Sequence, residues 1–270
     1  MTLSRLDRSW SIHTRARVTR QRRRGEAMML HMPRPFGPTR KLPYDTAAAM
    51  AALGASDAKL ARLIERAGTF TLRLPLRQSP FEALTESIVY QQLHGKAAAT
   101  IHARLLASFD GRRKGDHPSP EQILECPTAQ LRSAGLSHNK ILAIRDLAAK
   151  TLEGVVPSPQ RIRRLTDEEI VERLTQVRGI GRWTVEMLLI FHLGRPDVFP
   201  TSDYGIRKGF ALTFLGLKPT LKVTPDLLPG AETMQRRARR WAPWRSAASW
   251  YLWRACDLAN SEAAGRRTTA

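Results

Sequence analysis

The chain has 270 residues, 42% of them hydrophobic, enough to bury a sizeable core in one large domain or two lobes. Its formal net charge of +20 favours a polyanionic partner, because each phosphate neutralised by lysine or arginine releases counterions. Two widely separated cysteines, Cys126 and Cys256, exclude a CxxC metal pair and a dense disulfide framework. With no run of roughly 18 to 20 apolar residues and no secretory signal, the sequence predicts a soluble, intracellular protein in a reducing compartment.

Residues 1–42 carry the run Arg22-Arg23-Arg24 and prolines at 33, 35 and 38 with little apolar periodicity, and are expected to form a basic, disordered tail. Residues 1–40 contribute +8 to the net charge and the rest of the chain +12, so the excess is not confined to the tail. From Tyr44 the pattern is helical almost throughout. A helix is expected over 45–67, then an extended stretch over 69–76 in which Phe70, Leu72, Leu74 and Leu76 alternate. Helices follow over 80–92, 96–109, 119–125, 127–134, 137–153 and 167–177. Four more are expected over 182–193, 203–215, 229–241 and 244–260. Ser119-Pro120-Glu121 and the capping box from Thr166 to Glu169 are start signals, as is Pro243 ahead of an apolar run. The expected fold is all-α. No βαβ alternation or internal repeat is present, which argues against a dinucleotide-binding or P-loop enzyme.

A glycine hairpin, Gly179-Ile180-Gly181, joins the helices over 167–177 and 182–193. Glycine reaches positive φ without a Cβ penalty and lets another backbone come close. The first-turn amides of the following helix lack intrahelical partners and attract phosphate. Twenty residues after Trp183 stands Asp203, at the start of the next helix. Taken alone, the hairpin reads equally well as a plain helix turn, and Asp203 as a helix cap over Ile206.

Four pieces together resemble the helix-hairpin-helix DNA glycosylases, and within them the 3-methyladenine DNA glycosylase II group that repairs alkylated bases. They are Pro80-Phe81-Glu82 through Gln91-Gln92-Leu93-His94-Gly95-Lys96-Ala97-Ala98; Ala134-Gly135-Leu136-Ser137 with Lys140; the hairpin with Asp203; and Arg240-Trp241-x-Pro243-Trp244-Arg245-Ser246. The resemblance spans roughly residues 79–260. It implies two helical lobes with a catalytic cleft between them, lobe one being 43–79 plus about 205–270 and lobe two about 80–204. The compact form is expected, since too few residues precede Pro80 for the extra α+β domain of larger bacterial members.

By the same resemblance Asp203 is the catalytic carboxylate. Breaking an N-glycosidic bond develops oxocarbenium charge on the sugar, which a carboxylate stabilises while it orients the attacking water. Trp183 stands where strand-cutting relatives carry a Schiff-base lysine, so a monofunctional enzyme is implied. Trp183, Trp253, Tyr204 and Met187 are candidates for the base pocket, where aromatic faces favour a cationic methylated purine. Gln92 matches the side chain that fills the gap left by a flipped base, with His94 close to the minor groove. The amides of Gly179 and Gly181 would hold a phosphate, supported by Arg182 and Lys208, and Lys140 and Arg178 are either phosphate contacts or solvated charges. The carbonyls of Thr175, Val177 and Ile180 are candidates for a monovalent cation; no cofactor is required, and four clustered cysteines for an iron-sulfur cluster are absent. The implied partner is double-stranded DNA holding damaged bases, bound by a monomer with no membrane association. The expected function is excision of 3-methyladenine and 7-methylguanine in base excision repair. Two other readings stay open: a non-catalytic helix-hairpin-helix DNA-binding protein, and a glycosylase for another lesion.

Overall fold

In the computed structural model, the described residues are 38–76, 78–109, 117–219, 221, 223–224 and 227–268. The expected tail lies outside them up to residue 37. Its end does not continue as a tail, because Thr39–Arg40 form a strand, β1.

The chain is helical in the order α1 Thr46–Ser56, α2 Ala58–Ala67, α3 Pro80–Tyr90, α4 Gly95–Ala107, α5 Pro120–Glu125 and α6 Thr128–Ser133. Then come α7 His138–Leu152, α8 Pro159–Ile162, α9 Asp167–Leu174 and α10 Arg182–Leu188, which runs on as a π-helical turn over Leu189–Leu193. The last three are α11 Tyr204–Phe214, α12 Ala231–Ala238 with a 3-10 turn at Arg239–Trp241, and α13 Arg245–Thr268. β1 pairs antiparallel with β2, Leu74–Pro75. Among the described residues no helix is long and apolar enough to cross a membrane.

Two compact units result. One gathers residues 45–70 with the described residues from Phe199 onward; the other gathers residues 38–44 with 71–198. Both seams differ from those expected. Residues 71–79 join the second unit because β2 pairs with β1 and Leu74 is fully buried. The loop before Asp203 joins the first, where the Phe199 ring meets Trp241 edge-on at 5.5 Å.

In the first unit the helix expected over 45–67 is two helices. Asp57 breaks it with an extended backbone, and its carboxylate accepts from the Lys59 and Leu60 amides at 3.1 and 3.4 Å, capping α2. The same carboxylate, with a side chain 2% exposed, takes two bonds from Arg237, at 2.7 and 2.9 Å. Burial would raise its pKa, but the Arg237 bond and charge and the two amides hold it below the ordinary carboxylate value. The core is closed by α11 against α13. Gly209 marks their closest approach, since a Cβ there would sit 1.9 Å from the Leu252 carbonyl oxygen; Phe210 and Tyr251 are buried beside it.

In the second unit α7 is central, burying Ile141, Ile144, Leu147 and Ala148. The helix α3 enters it through a complete capping box, Ser79 with Glu82, and a proline at its first position. The short α8 begins with the same Ser-Pro signal, Ser158-Pro159, and was not expected from the sequence.

Candidate functional site

The hairpin is built in the second unit. Thr166 and Glu169 cap α9 reciprocally, and Ile170, Val171 and Leu174 are buried. The helix ends at Leu174, three residues before the expected end at 177, and its cap Thr175 donates its hydroxyl to the Val171 carbonyl at 2.7 Å. Val177 and Ile180 are both buried and anchor the turn, and the Ile180 amide donates to the Val177 carbonyl at 3.0 Å. The Arg178 amide donates to Asp146 on α7 at 2.6 Å, and Lys150 pairs with the same carboxylate at 2.7 Å. Burial opposes the Asp146 charge, yet the Arg178 amide and Lys150 together hold its pKa low. Asp146 is a site residue that the sequence did not reveal, because it reaches the hairpin from 32 residues upstream.

Of the two hairpin glycines, Gly179 has φ +78 and Gly181 an ordinary extended φ of −109. Only Gly179 therefore needs glycine for its backbone. A Cβ on Gly181 would meet nothing within 4 Å. Both are exposed, and neither amide donates a hydrogen bond among the described residues. The amides expected to hold a phosphate are thus available to one. Arg182 is not a lone cation: its guanidinium pairs with Glu168, a bond that raises its pKa. Trp183 is half-buried in the first turn of α10, and Met187 is buried one turn later.

Facing the hairpin within the same unit is the turn between α3 and α4. Gln91 ends α3 and donates its side-chain amide to the Gly179 carbonyl at 3.0 Å. Gln92 is exposed with φ +61, the one non-glycine residue with positive φ among those described. His94 is exposed and begins α4 without a side-chain capping bond. Lys140 donates to the Val89 carbonyl at the end of α3, and burial lowers its pKa to about 8. Its place is therefore structural.

Asp203 belongs to the first unit. It caps α11 and is 2% exposed; its Oδ1 accepts from the Ile206 amide and from the Trp253 indole N–H, each at 2.8 Å. The capping role and the buried, oriented carboxylate coexist in one residue. The sequence named Asp203 and Trp253 separately, as carboxylate and as pocket candidate; the structure joins them by this bond. Gly205 makes the approach possible: a Cβ would lie 2.7 Å from Trp253 Cδ1 and 3.1 Å from Asp203 Oδ1. The thiol of Cys256 donates to the Gly205 carbonyl at 3.4 Å, and burial pushes its pKa up. Tyr204 packs against the small cluster of Ala211, Val223 and Leu228. Lys208 is half-buried on α11 in this unit, whereas the hairpin it was expected to support is built in the other.

A carboxylate so placed can meet a cationic centre in a low-dielectric setting, where charge stabilisation is stronger than in water. Exposed backbone amides at a helix start can meet an anion.

Comparison with known proteins bears on the family of the chain. A family model described as "HhH-GPD superfamily base excision DNA repair protein" matches residues 85–227. DNA-3-methyladenine glycosylase 1 of Schizosaccharomyces pombe is 37% identical over 209 residues, covering 77% of this chain and 86% of that protein. A solved 3-methyladenine DNA glycosylase of the same yeast, in complex with abasic DNA, is similar with a TM-score of 0.65 at 36% identity, covering 76% of this chain and 95% of that one. A DNA-3-methyladenine glycosidase from Bacillus halodurans is similar with a TM-score of 0.66 at 30% identity, covering 82% and 94%.

Proposed function

The chain belongs to the HhH-GPD superfamily of base excision DNA repair proteins, and from that premise we propose that it is a monofunctional DNA glycosylase acting on alkylated purines in duplex DNA. It hydrolyses the N-glycosidic bond of 3-methyladenine and 7-methylguanine and leaves an abasic site.

The observation that carries this reading is the buried Asp203 carboxylate, held by the Ile206 amide and the Trp253 indole. A carboxylate accepts only, so held in this place it suits a cationic centre and the protons of an attacking water. As the bond to the base lengthens, the sugar gains oxocarbenium charge that Asp203 stabilises, and the water adds to the anomeric carbon. Alkylation at a ring nitrogen makes the base cationic, so it leaves as a neutral purine without strong general-acid help. Trp183, in place of a lysine, forms no imine with the sugar, in keeping with simple hydrolysis. The aromatic faces of Trp183 and Trp253 favour a cationic base over a neutral one. Gln92 fills the gap that the extruded base leaves, with His94 beside it.

The amides of Gly179 and Gly181 grip a phosphate of the bound strand. The carbonyls of Thr175, Val177 and Ile180 fit a monovalent cation in donor chemistry, being neutral oxygen ligands in one turn; Val177 spends one lone pair on the Ile180 amide and keeps the other. Such a cation would supply positive charge beside the phosphate. The protein works where the DNA is, inside the cell.

The test is release of radiolabelled bases from methylated duplex DNA by the wild type and by Asp203→Asn. The wild type is expected to free 3-methyladenine and 7-methylguanine, and the variant to free neither while binding DNA at least as well. Undiminished excision by Asp203→Asn refutes the assigned mechanism, and salt-sensitive DNA binding without any release by the wild type identifies a non-catalytic binder instead.

A further inference from the structure

The second unit contains a contact that joins the two DNA-facing turns. The peptide linking Gly179 to Ile180 is fixed at both ends: its N–H donates to the Val177 carbonyl at 3.0 Å, and its C=O accepts from the Gln91 side chain at 3.0 Å. A left-handed glycine is where a peptide plane turns over at least cost. Removing the bond on the oxygen side frees that rotation, which re-aims the flanking amides of Gly179 and Gly181. Gln91 therefore holds the hairpin in the orientation that presents those amides.

Gln91 is equally fixed toward Gln92. Its backbone N–H donates to the Ser87 carbonyl at 3.1 Å, its side chain is committed to Gly179, and Lys140 holds the Val89 carbonyl two residues back. The next residue, Gln92, is exposed in the left-handed region, a conformation that a glutamine leaves unless its neighbours over-determine it. A single side chain thus fixes one peptide of the hairpin and the residue that precedes the strained Gln92.

Resting on the glycosylase reading above, we propose that Gln91 is a positioning residue that registers the Gln92 turn on the glycine hairpin, coupling the grip on a phosphate to the filling of the gap beside it. Two turns that moved independently would each meet DNA but would not together fit one strand spacing. Gln91 carries no charge and donates through a side chain that neither reacts nor needs to touch the base, so its effect is felt only through its neighbours.

The experiment is a double-mutant cycle with Gln91→Met, which keeps length but cannot donate, and Gln92→Ala. Two quantities are read for all four proteins: the single-turnover rate of base release from alkylated duplex DNA, and the preference for a duplex holding a tetrahydrofuran abasic site over an intact duplex. Gln91→Met is expected to lower both by about three- to tenfold, the size of one hydrogen bond, and by less than about twofold when Gln92 is already alanine. Gln91→Glu, which offers an acceptor where a donor is needed, is expected to show the same loss and the same non-additivity. Equal losses in both backgrounds, or no loss in either, overturn the proposal. A wild type that releases no base refutes the glycosylase reading by itself, while the abasic-site preference still decides the coupling.

Discussion

Replacing Gly205 with alanine would perturb Asp203 without altering any reacting group. The new Cβ would stand 2.7 Å from Trp253 Cδ1, 3.0 Å from its Nε1 and 3.1 Å from Asp203 Oδ1, so the indole must withdraw and its 2.8 Å bond to the carboxylate must lengthen or break. A hydrogen bond to a charged acceptor contributes about 1.5 to 3 kcal/mol. If that energy holds the carboxylate in its working orientation, its loss slows base release by roughly tenfold to a hundredfold, at about 1.4 kcal/mol per tenfold. Global stability should change far less. Gly205 lies outside the positive-φ region, so alanine gains about 1 kcal/mol of helix propensity, against an overpacking cost of about 1 to 3 kcal/mol. Single-turnover release measured beside urea unfolding separates the two effects. Gly230→Ala is the control, since a Cβ at that helix start meets nothing within 4 Å. A Gly205→Ala protein with wild-type rates refutes the orienting role of Trp253, as does a rate loss no larger than the loss of folded protein.

Gly181→Ala is expected to leave unfolding unchanged within about 0.5 kcal/mol, because its backbone is ordinary and its Cβ enters open space. DNA affinity measured by fluorescence anisotropy should nevertheless fall several-fold if a phosphate approaches that amide, and unchanged affinity places the phosphate elsewhere. His102 is buried against Tyr90 and His117, at ring separations of 6.1 and 5.1 Å. Burial, then the neighbouring His117, lowers its pKa from 6.5 to about 4. The folded state therefore stays neutral there while the unfolded chain takes up a proton. The stability is fully present above about pH 6.5 and is lost toward pH 4, at up to about 1.4 kcal/mol per pH unit. Urea unfolding at pH 7 and pH 5.5 should show this loss, and His102→Gln should reduce it; an identical pH dependence in the variant refutes the assignment.

What the sequence disclosed was local. The start signals at Ser119 and Thr166 and the glycine hairpin are patterns within a few residues, and each lies where it was expected. What it hid depends on distant partners. The break at Asp57 is invisible in an apolar-periodic stretch because its reason, Arg237, is 180 residues away. Asp146 is an unremarked helical acid until the Arg178 amide meets it. The two hairpin glycines look equivalent in sequence, yet only Gly179 occupies the left-handed region. That Tyr204 packs on Ala211, Val223 and Leu228 is likewise hidden in a sequence that shows only its neighbour Asp203. Gln91 reads as the end of a helix; its amide acquires a purpose only when Gly179 is opposite.

The double duty of Asp203 Oδ1 governs how its substitutions can be interpreted. An asparagine can keep an oxygen where Oδ1 stands and still accept from the Ile206 amide and the Trp253 indole, so the scaffold survives while the negative charge is gone. An alanine removes the acceptor from both donors at once, leaving a buried helix-start amide and a buried indole N–H unsatisfied, at about 1 to 3 kcal/mol each. An inactive Asp203→Ala protein would thus mix lost chemistry with lost architecture, and the rate difference between the two variants measures how much of the site's order this one oxygen supplies.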